Sequence, residues 1–145
     1  MQGTSDIINN ASEAGVAIPA FNVPYLPMVE PVIRAVVDQD SFALIEVARL
    51  EWIKFESQSP AAVMEEFVKW NEPDYVRIHL DHVPVIDEDN LEVDYLSIIR
   101  EAIELGYQSV MVDGSRLDLE GNIEATRQVV DLAHEAGIPC EAELG

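Results

Sequence analysis

The chain has 145 residues, 48% of them hydrophobic and 25% charged, which is enough length and apolar content for one domain with a real core. Twenty-eight Asp and Glu stand against eight Lys and Arg, a formal net charge of −20 that argues against nucleic acid and anionic membrane as partners and makes a phosphorylated substrate awkward to hold. The single cysteine, Cys140, allows no internal disulfide and fits a reducing cytoplasm, and no apolar stretch nears the ~20 residues that span a bilayer.

Read in order, the elements alternate. Thr4 to Ala14 predicts a short leading helix, with Ser5 as its N-cap and Gly15 just past its end. Val16 to Val23 is a short apolar run and hence a strand. Tyr25 to Asp38 places Met28, Val29, Val32, Ile33, Val36 and Val37 on one helical face, with Pro31 uncomfortably one turn in. Phe42 to Ala48 is a second strand, and Pro60 to Trp70 a helix opened by its proline. Asp74 to His79 is β-branched and aromatic and predicts a third strand, running on to Asp81 and His82 before a loop begins at Val83. Leu91 to Leu105 is a helix stopped at Gly106, and Ser109 to Asp113 a fourth strand turned by Gly114-Ser115. Leu119 to Ala136 is a long helix stopped at Gly137, and Ile138 to Leu144 begins a fifth strand.

Continuous apolar strands between amphipathic helices mean a parallel sheet with right-handed crossovers. An open doubly wound sheet and the first part of a (β/α)₈ barrel both fit. Asn22, Glu46, Asp81 with His82, Asp113 with Ser115, and Glu141 with Glu143 fall at the C-terminal ends of successive strands, where a barrel builds its site as one ring. An open sheet would place a Gly-rich turn after the first strand, but Val23-Pro24-Tyr25 follows there. The expected architecture is therefore an α/β (β/α)₈ TIM barrel. Residues 1–145 supply its N-terminal half, (βα)₄β after a short leading helix.

The segment Ile78-His79-Leu80-Asp81-His82 concentrates two imidazoles and a carboxylate at a strand end. The side-chain period of two turns His79 and Asp81 the same way. A carboxylate beside a potential metal ligand at such an end suits metal-assisted proton transfer. A buried His is more often a hydrogen-bonded core residue, and an Asp before Gly-Ser, as at Asp113, often only shapes a turn.

Five pieces in order, Pro19-Ala20-Phe21-Asn22, His79-Leu80-Asp81-His82, Ser109 to Ser115 (SVMVDGS), Glu120-Gly121-Asn122-Ile123 and Glu141-Ala142-Glu143-Leu144-Gly145, resemble the class II, metal-dependent ketose-bisphosphate aldolases. The resemblance implies a lyase of carbohydrate metabolism and glycolysis that reversibly cleaves a ketose bisphosphate to dihydroxyacetone phosphate and an aldehyde. It implies Zn²⁺ as cofactor, with a second divalent or monovalent cation beside it. Carried over residue by residue, His82 is a zinc ligand and Asp81 the catalytic proton donor and acceptor. Asp113 and Glu143 hold a second or alternate metal position, and Asn22 and Ser115 contact substrate. His79 is supporting or structural, and Glu141 an inward-facing neighbour.

The sequence departs from that family's pattern in places. Val83-Pro84 and an acidic insertion, Asp87 to Asn90, follow the His-x-Asp-His motif, and Glu46 stands where an uncharged residue is expected. The family's two other zinc-ligating histidines and its Gly-rich phosphate loop have no counterpart in these residues, and His134 reads as a surface residue beside Glu135. The 145 residues alone are thus expected to be inactive. Open edges at the first and fifth strands and an exposed apolar inner face call for a homo-oligomer or a complementary half-barrel. The alternative is a non-catalytic half-barrel or divergent relative that binds a cation or nothing. Another metal-dependent barrel lyase or hydrolase using Asp81 is the second choice among enzymes.

Overall fold

In the computed structural model, which describes residues 2–145, five parallel strands form one sheet in the order of the sequence. They are β1 (Ala20–Asn22), β2 (Ala43–Ala48), β3 (Val76–Pro84), β4 (Val110–Asp113) and β5 (Cys140–Glu143). Each strand pairs only with its sequence neighbours, so every crossover returns to the adjacent position. The helices are α1 (Thr4–Glu13), α2 (Val29–Asp38), α3 (Arg49–Lys54), α4 (Pro60–Trp70), α5 (Tyr95–Leu105) and α6 (Leu119–Glu135). This is the first half of a (β/α)₈ barrel, as the polar strand ends foretold.

The elements differ from expectation mainly at their ends. The first strand shortens to Ala20–Asn22, since only these residues find register partners, Leu44 to Glu46. The helix expected from Tyr25 begins at Val29 after a tight 3₁₀ turn, Leu26–Met28. Pro31 then lies in its first turn, where a missing N–H costs nothing. Helix α1 starts after Gly3 rather than being capped by Ser5, while Gly15 adopts the left-handed conformation at its far end (φ 66). Helix α5 begins only at Tyr95, because Asp94 accepts a hydrogen bond from the Ser97 N–H (3.2 Å) and so caps it there. Strand β3 runs on through Val83 and Pro84, which pair with Val112 and Asp113 where a loop was expected. Helix α3 was not foreseen; it is held at its start by Glu51, which accepts from the Ala48 N–H (2.8 Å).

One face of the sheet carries the core. Ile45, Val47, Ile78, Leu80, Val110 and Val112 are wholly buried against helix residues that include Ile33, Val63, Phe67, Ile99 and Val129. Fully burying such side chains is worth about 1.5–3 kcal/mol each. The opposite face would line a closed barrel, and it is polar rather than apolar as expected. Register sets Asn22, Glu46 and His79 side by side, then Ala48 beside Asp81, and Asp113 beside Glu143. Exposed apolar surface lies instead on the outer side of the β1 edge. There Phe21, 41% exposed, borders a groove of about 370 Å³ with Pro19, Pro31, Val32 and Ala35.

Helix α1 closes the N-terminal end of the inner face. The guanidinium of Arg77, itself buried, donates to the carbonyls of Pro73, Val76 and Gln2 and lies 5.6 Å from the Phe42 ring centroid. Above it, His79 is 2% exposed, with Nδ1 2.7 Å from the Ser109 hydroxyl and Nε2 without a hydrogen-bond partner. Burial pushes its imidazole down to about 4. The unfolded chain therefore binds a proton near pH 6.5 that the folded chain refuses until about pH 4. Stability from this residue is complete above pH 6.5 and is lost as the pH falls toward 4, by roughly 3 kcal/mol. Urea unfolding of wild type and His79→Gln across this window should show the wild type losing that much more; parallel curves would refute the assignment.

Candidate active site

The site is built on a break in strand regularity. Between the pairs Leu80 with Val110 and Val83 with Val112, β3 spends three steps where β4 spends two. One extra residue is thus inserted, a β-bulge, and His82 takes a left-handed backbone (φ 33) to accommodate it. Strict alternation would send Asp81 and His82 to opposite faces. The bulge cancels that reversal, and both reach the inner side.

His82 sits among three carboxylates. Its Nδ1 is 3.4 Å from Asp113 Oδ2 and 3.3 Å from Glu143 Oε2, and its Nε2 is 3.8 Å from Asp81 Oδ1. Burial opposes a charged ring, but Asp81, Asp113 and Glu143 together outweigh it and raise His82 above its ordinary value. Burial likewise works against a charged Asp113. Hydrogen bonds from the Ser115 hydroxyl (2.5 Å) and amide (3.0 Å), with the His82 ring, prevail and hold its carboxyl low. Asp81 is 8% exposed, and its Oδ2 accepts from Asn22 Nδ2 at 2.8 Å.

All six residues singled out in the sequence therefore meet in one place. Asn22, Asp81, His82 and Asp113 line a common cavity of about 350 Å³, while Ser115 and Glu143 adjoin it through Asp113 and His82. Two of them are held by neighbouring carboxylates. The Asn22 amide is directed at Asp81, and the Ser115 hydroxyl at Asp113. His134 lies in the last turn of α6, apart from the site.

The donors fit a metal. Nδ1 of His82 and carboxylate oxygens of Asp113 and Glu143 lie within 4.8 Å of one another. Two ligands at about 2.1 Å from a tetrahedral zinc are about 3.4 Å apart, close to the two spacings seen here. Were Nδ1 to hold a metal, the other ring nitrogen would face Asp81, a common arrangement for a ligating histidine. The three donors form one cluster.

Three contributors were not assigned a role from the sequence. Asn122, in the first turn of α6, is buried and donates from Nδ2 to the Glu143 carbonyl at 2.8 Å, fixing the end of β5. Its signals were its place in Glu120-Gly121-Asn122-Ile123 and a polar residue on the buried face of a helix. Glu51 and Arg116 come from connections whose sequence carried no motif. Glu46, noted as a departure, is buried beside Asp81, and burial together with the Asp81 and Glu141 carboxylates pushes it up to about 7.

The family model for class II fructose-bisphosphate aldolases matches residues 2–145. The chain belongs to the class II fructose-bisphosphate aldolase family. Among solved structures it is similar to the YdjI aldolase from Escherichia coli K12, at 30% identity over the whole of this chain and 52% of that one, with a TM-score of 0.77. It is also similar to a candidate fructose-1,6-biphosphate aldolase from Coccidioides immitis, at 26% identity, covering 96% of this chain and 45% of the other, with a TM-score of 0.72. A fructose-bisphosphate aldolase from Campylobacter jejuni shares the fold at 20% identity, 97% and 45% coverage and a TM-score of 0.73. The chain thus spans about half the length of these relatives. Among the described residues, no helix is long and apolar enough to cross a membrane.

Gly114 of this family member gives the site a test. A Cβ there would stand 2.7 Å from Asn122 Cγ and Oδ1 and 3.2 Å from Asn122 Cα. Asn122 cannot move aside without releasing Glu143. Gly114→Ala should destabilise the fold by about 1–3 kcal/mol, as overpacking does. An unchanged urea midpoint would show that the contact between the turn and α6 is loose.

Proposed function

We propose that this chain is one half of a zinc-dependent ketose-bisphosphate aldolase barrel. In its assembled form the enzyme reversibly cleaves a ketose bisphosphate to dihydroxyacetone phosphate and an aldehyde. One observation carries this: the bulge in β3 brings Asp81 and His82 to the same side, within ion-pair distance, with Asp113 and Glu143 beyond them. Asp81 would take the proton from the hydroxyl that becomes the aldehyde as the carbon–carbon bond breaks, and return it in the condensation direction. Asn22 would keep Asp81 in position, holding Oδ2 and leaving the other oxygen to the substrate. His82, Asp113 and Glu143 would hold the metal, with Ser115 fixing Asp113. When bound, zinc supplies the Lewis acidity that draws electron density from the substrate carbonyl during cleavage.

A catalytic zinc has three protein ligands and an open position, and closing the barrel requires the strands that would lie between β5 and β1. Those strands lie outside residues 1–145, and the groove beside Phe21 favours pairing with a second copy of this chain or a complementary half-barrel. Residues 1–145 then act as one unit, working in a reducing cytoplasm where Cys140 stays a thiol. The second reading, a divergent relative with no catalysis of its own, is favoured by Glu46, a carboxylate buried beside Asp81 where an uncharged residue was expected.

Dialysis against Zn²⁺ with simultaneous measurement of metal content and mass separates the two. The expected result is a bound zinc that His82→Ala loses, in a particle larger than one chain, with cleavage of fructose or tagatose bisphosphate once the barrel is completed. Zinc binding indifferent to His82→Ala would overturn the metal assignment. A monomer that binds zinc without cleaving either sugar would support the second reading.

A further inference from the structure

The substrate proposed for this site is an anion, yet the chain is strongly acidic and its cavity is lined by Asp81, Asp113 and Glu88. A Lys or Arg of this chain at the cavity would meet part of the substrate's charge. Four of the eight Lys and Arg residues are ruled out by place or partner. Arg34, Lys69 and Arg127 pair with carboxylates on their own helices, and Arg77 is buried under the barrel floor. Arg49 and Lys54 stand near the mouth but are engaged by the insertion, Arg49 with Asp87 (3.4 Å) and Lys54 with Glu88 (2.9 Å) and Asp89 (3.2 Å). Arg100 borders a separate depression between α5 and α6.

Arg116 is the remaining one. It follows the Gly114-Ser115 turn, is exposed, and is the one Lys or Arg lining the cavity that holds Asp81 and His82 among the described residues. Its hydrogen-bond partner is neutral: Nη1 donates to Asn90 Oδ1 at a long 3.3 Å. No carboxylate among the described residues lies within ion-pair distance of it. The acidic insertion therefore neutralises Arg49 and Lys54 but leaves Arg116 its full charge. A guanidinium offers a planar fork of donors that matches phosphate and carboxylate oxygens two at a time.

We infer that Arg116 recognises an anionic group, phosphate or carboxylate, carried by the substrate of this cavity, and so helps set substrate specificity. The inference rests on the reading of the cavity as an aldolase site. Asn90 acts as a placeholder that orients the guanidinium in the free chain and yields to a charged acceptor. A charge-assisted, two-point contact should make anion binding about tenfold or more tighter than without it.

The test uses the 145-residue chain with metal removed by chelation, so that no response passes through zinc. Inorganic phosphate, malonate and chloride are titrated at constant ionic strength while amide and arginine side-chain NMR signals are followed. Saturable shifts at Arg116, Ser115 and Asn90 are expected with phosphate or malonate and not with chloride. Whichever of the two binds tighter names the substrate's group. Arg116→Gln should abolish the shifts at Ser115 and Asn90, Arg116→Lys should weaken them, and Arg100→Gln should leave them intact. An equal response in Arg116→Gln, or an equal response to chloride, would overturn the inference. Neither outcome depends on zinc or turnover, so failure of the aldolase reading, seen in the zinc and cleavage measurements, remains distinct.

Discussion

The site depends on a mismatch between the period of a β-strand and the needs of the chemistry. Proton transfer beside a metal calls for a carboxylate and an imidazole within a few ångströms on one surface, and here they are consecutive in sequence. A regular strand separates consecutive side chains onto opposite faces, and would bury one of the pair among the helices. The extra residue of β3 removes the conflict, at the cost of a left-handed backbone at a non-glycine position. The same insertion shifts the end of β3 so that Val83 and Pro84 pair with Val112 and Asp113, which draws β4's terminal carboxylate beside His82. Register and the clustering of Asp81, His82 and Asp113 thus follow from one irregularity.

Around that point the polar groups support one another in sequence. Asn22 steadies Asp81, Ser115 steadies Asp113, and Asn122 steadies the strand that carries Glu143. Deeper in, the arrangement is less complete: Glu46 and Glu141 are both raised by burial and by Asp81, and His79 directs an unsatisfied nitrogen toward Glu141 Oε2 at 3.7 Å. Carboxylates crowded in this way are costly to keep charged together. This stretch of interior is therefore poised to hold fewer charges than its composition suggests.

Much of this was legible in the amino-acid sequence because two periodicities rarely mislead. Apolar runs of strand length and helical faces such as Val29, Ile33 and Val36 gave the alternation, and polar residues at successive strand ends gave the ring. What failed was local. Nothing in Arg49 to Lys54 resembles a core-facing helix, because that helix buries little and is held by Glu51 at its start. The polarity of the inner face was missed because apolar strand residues were credited to both faces, whereas register assigns most of them to the helix side. The bulge itself was invisible, since His-Leu-Asp-His reads identically in a regular strand. Ser115 meets Asp113 two residues back, a relation that spacing can express, but Asn22 meets Asp81 on another strand, which it cannot.

The order of the sheet has a consequence for how the chain is made. Because the strands lie in sequence order, each new helix and strand emerging from the ribosome meets a partner strand that already exists. No strand has to wait for a distant one, and each new strand docks on the growing edge while the β1 edge takes no part. Growth is thus vectorial, and each added unit buries the apolar side of the last. The three clustered side chains arrive in the same order, His82, then Asp113, then Glu143, so their cluster assembles only when the fifth strand docks.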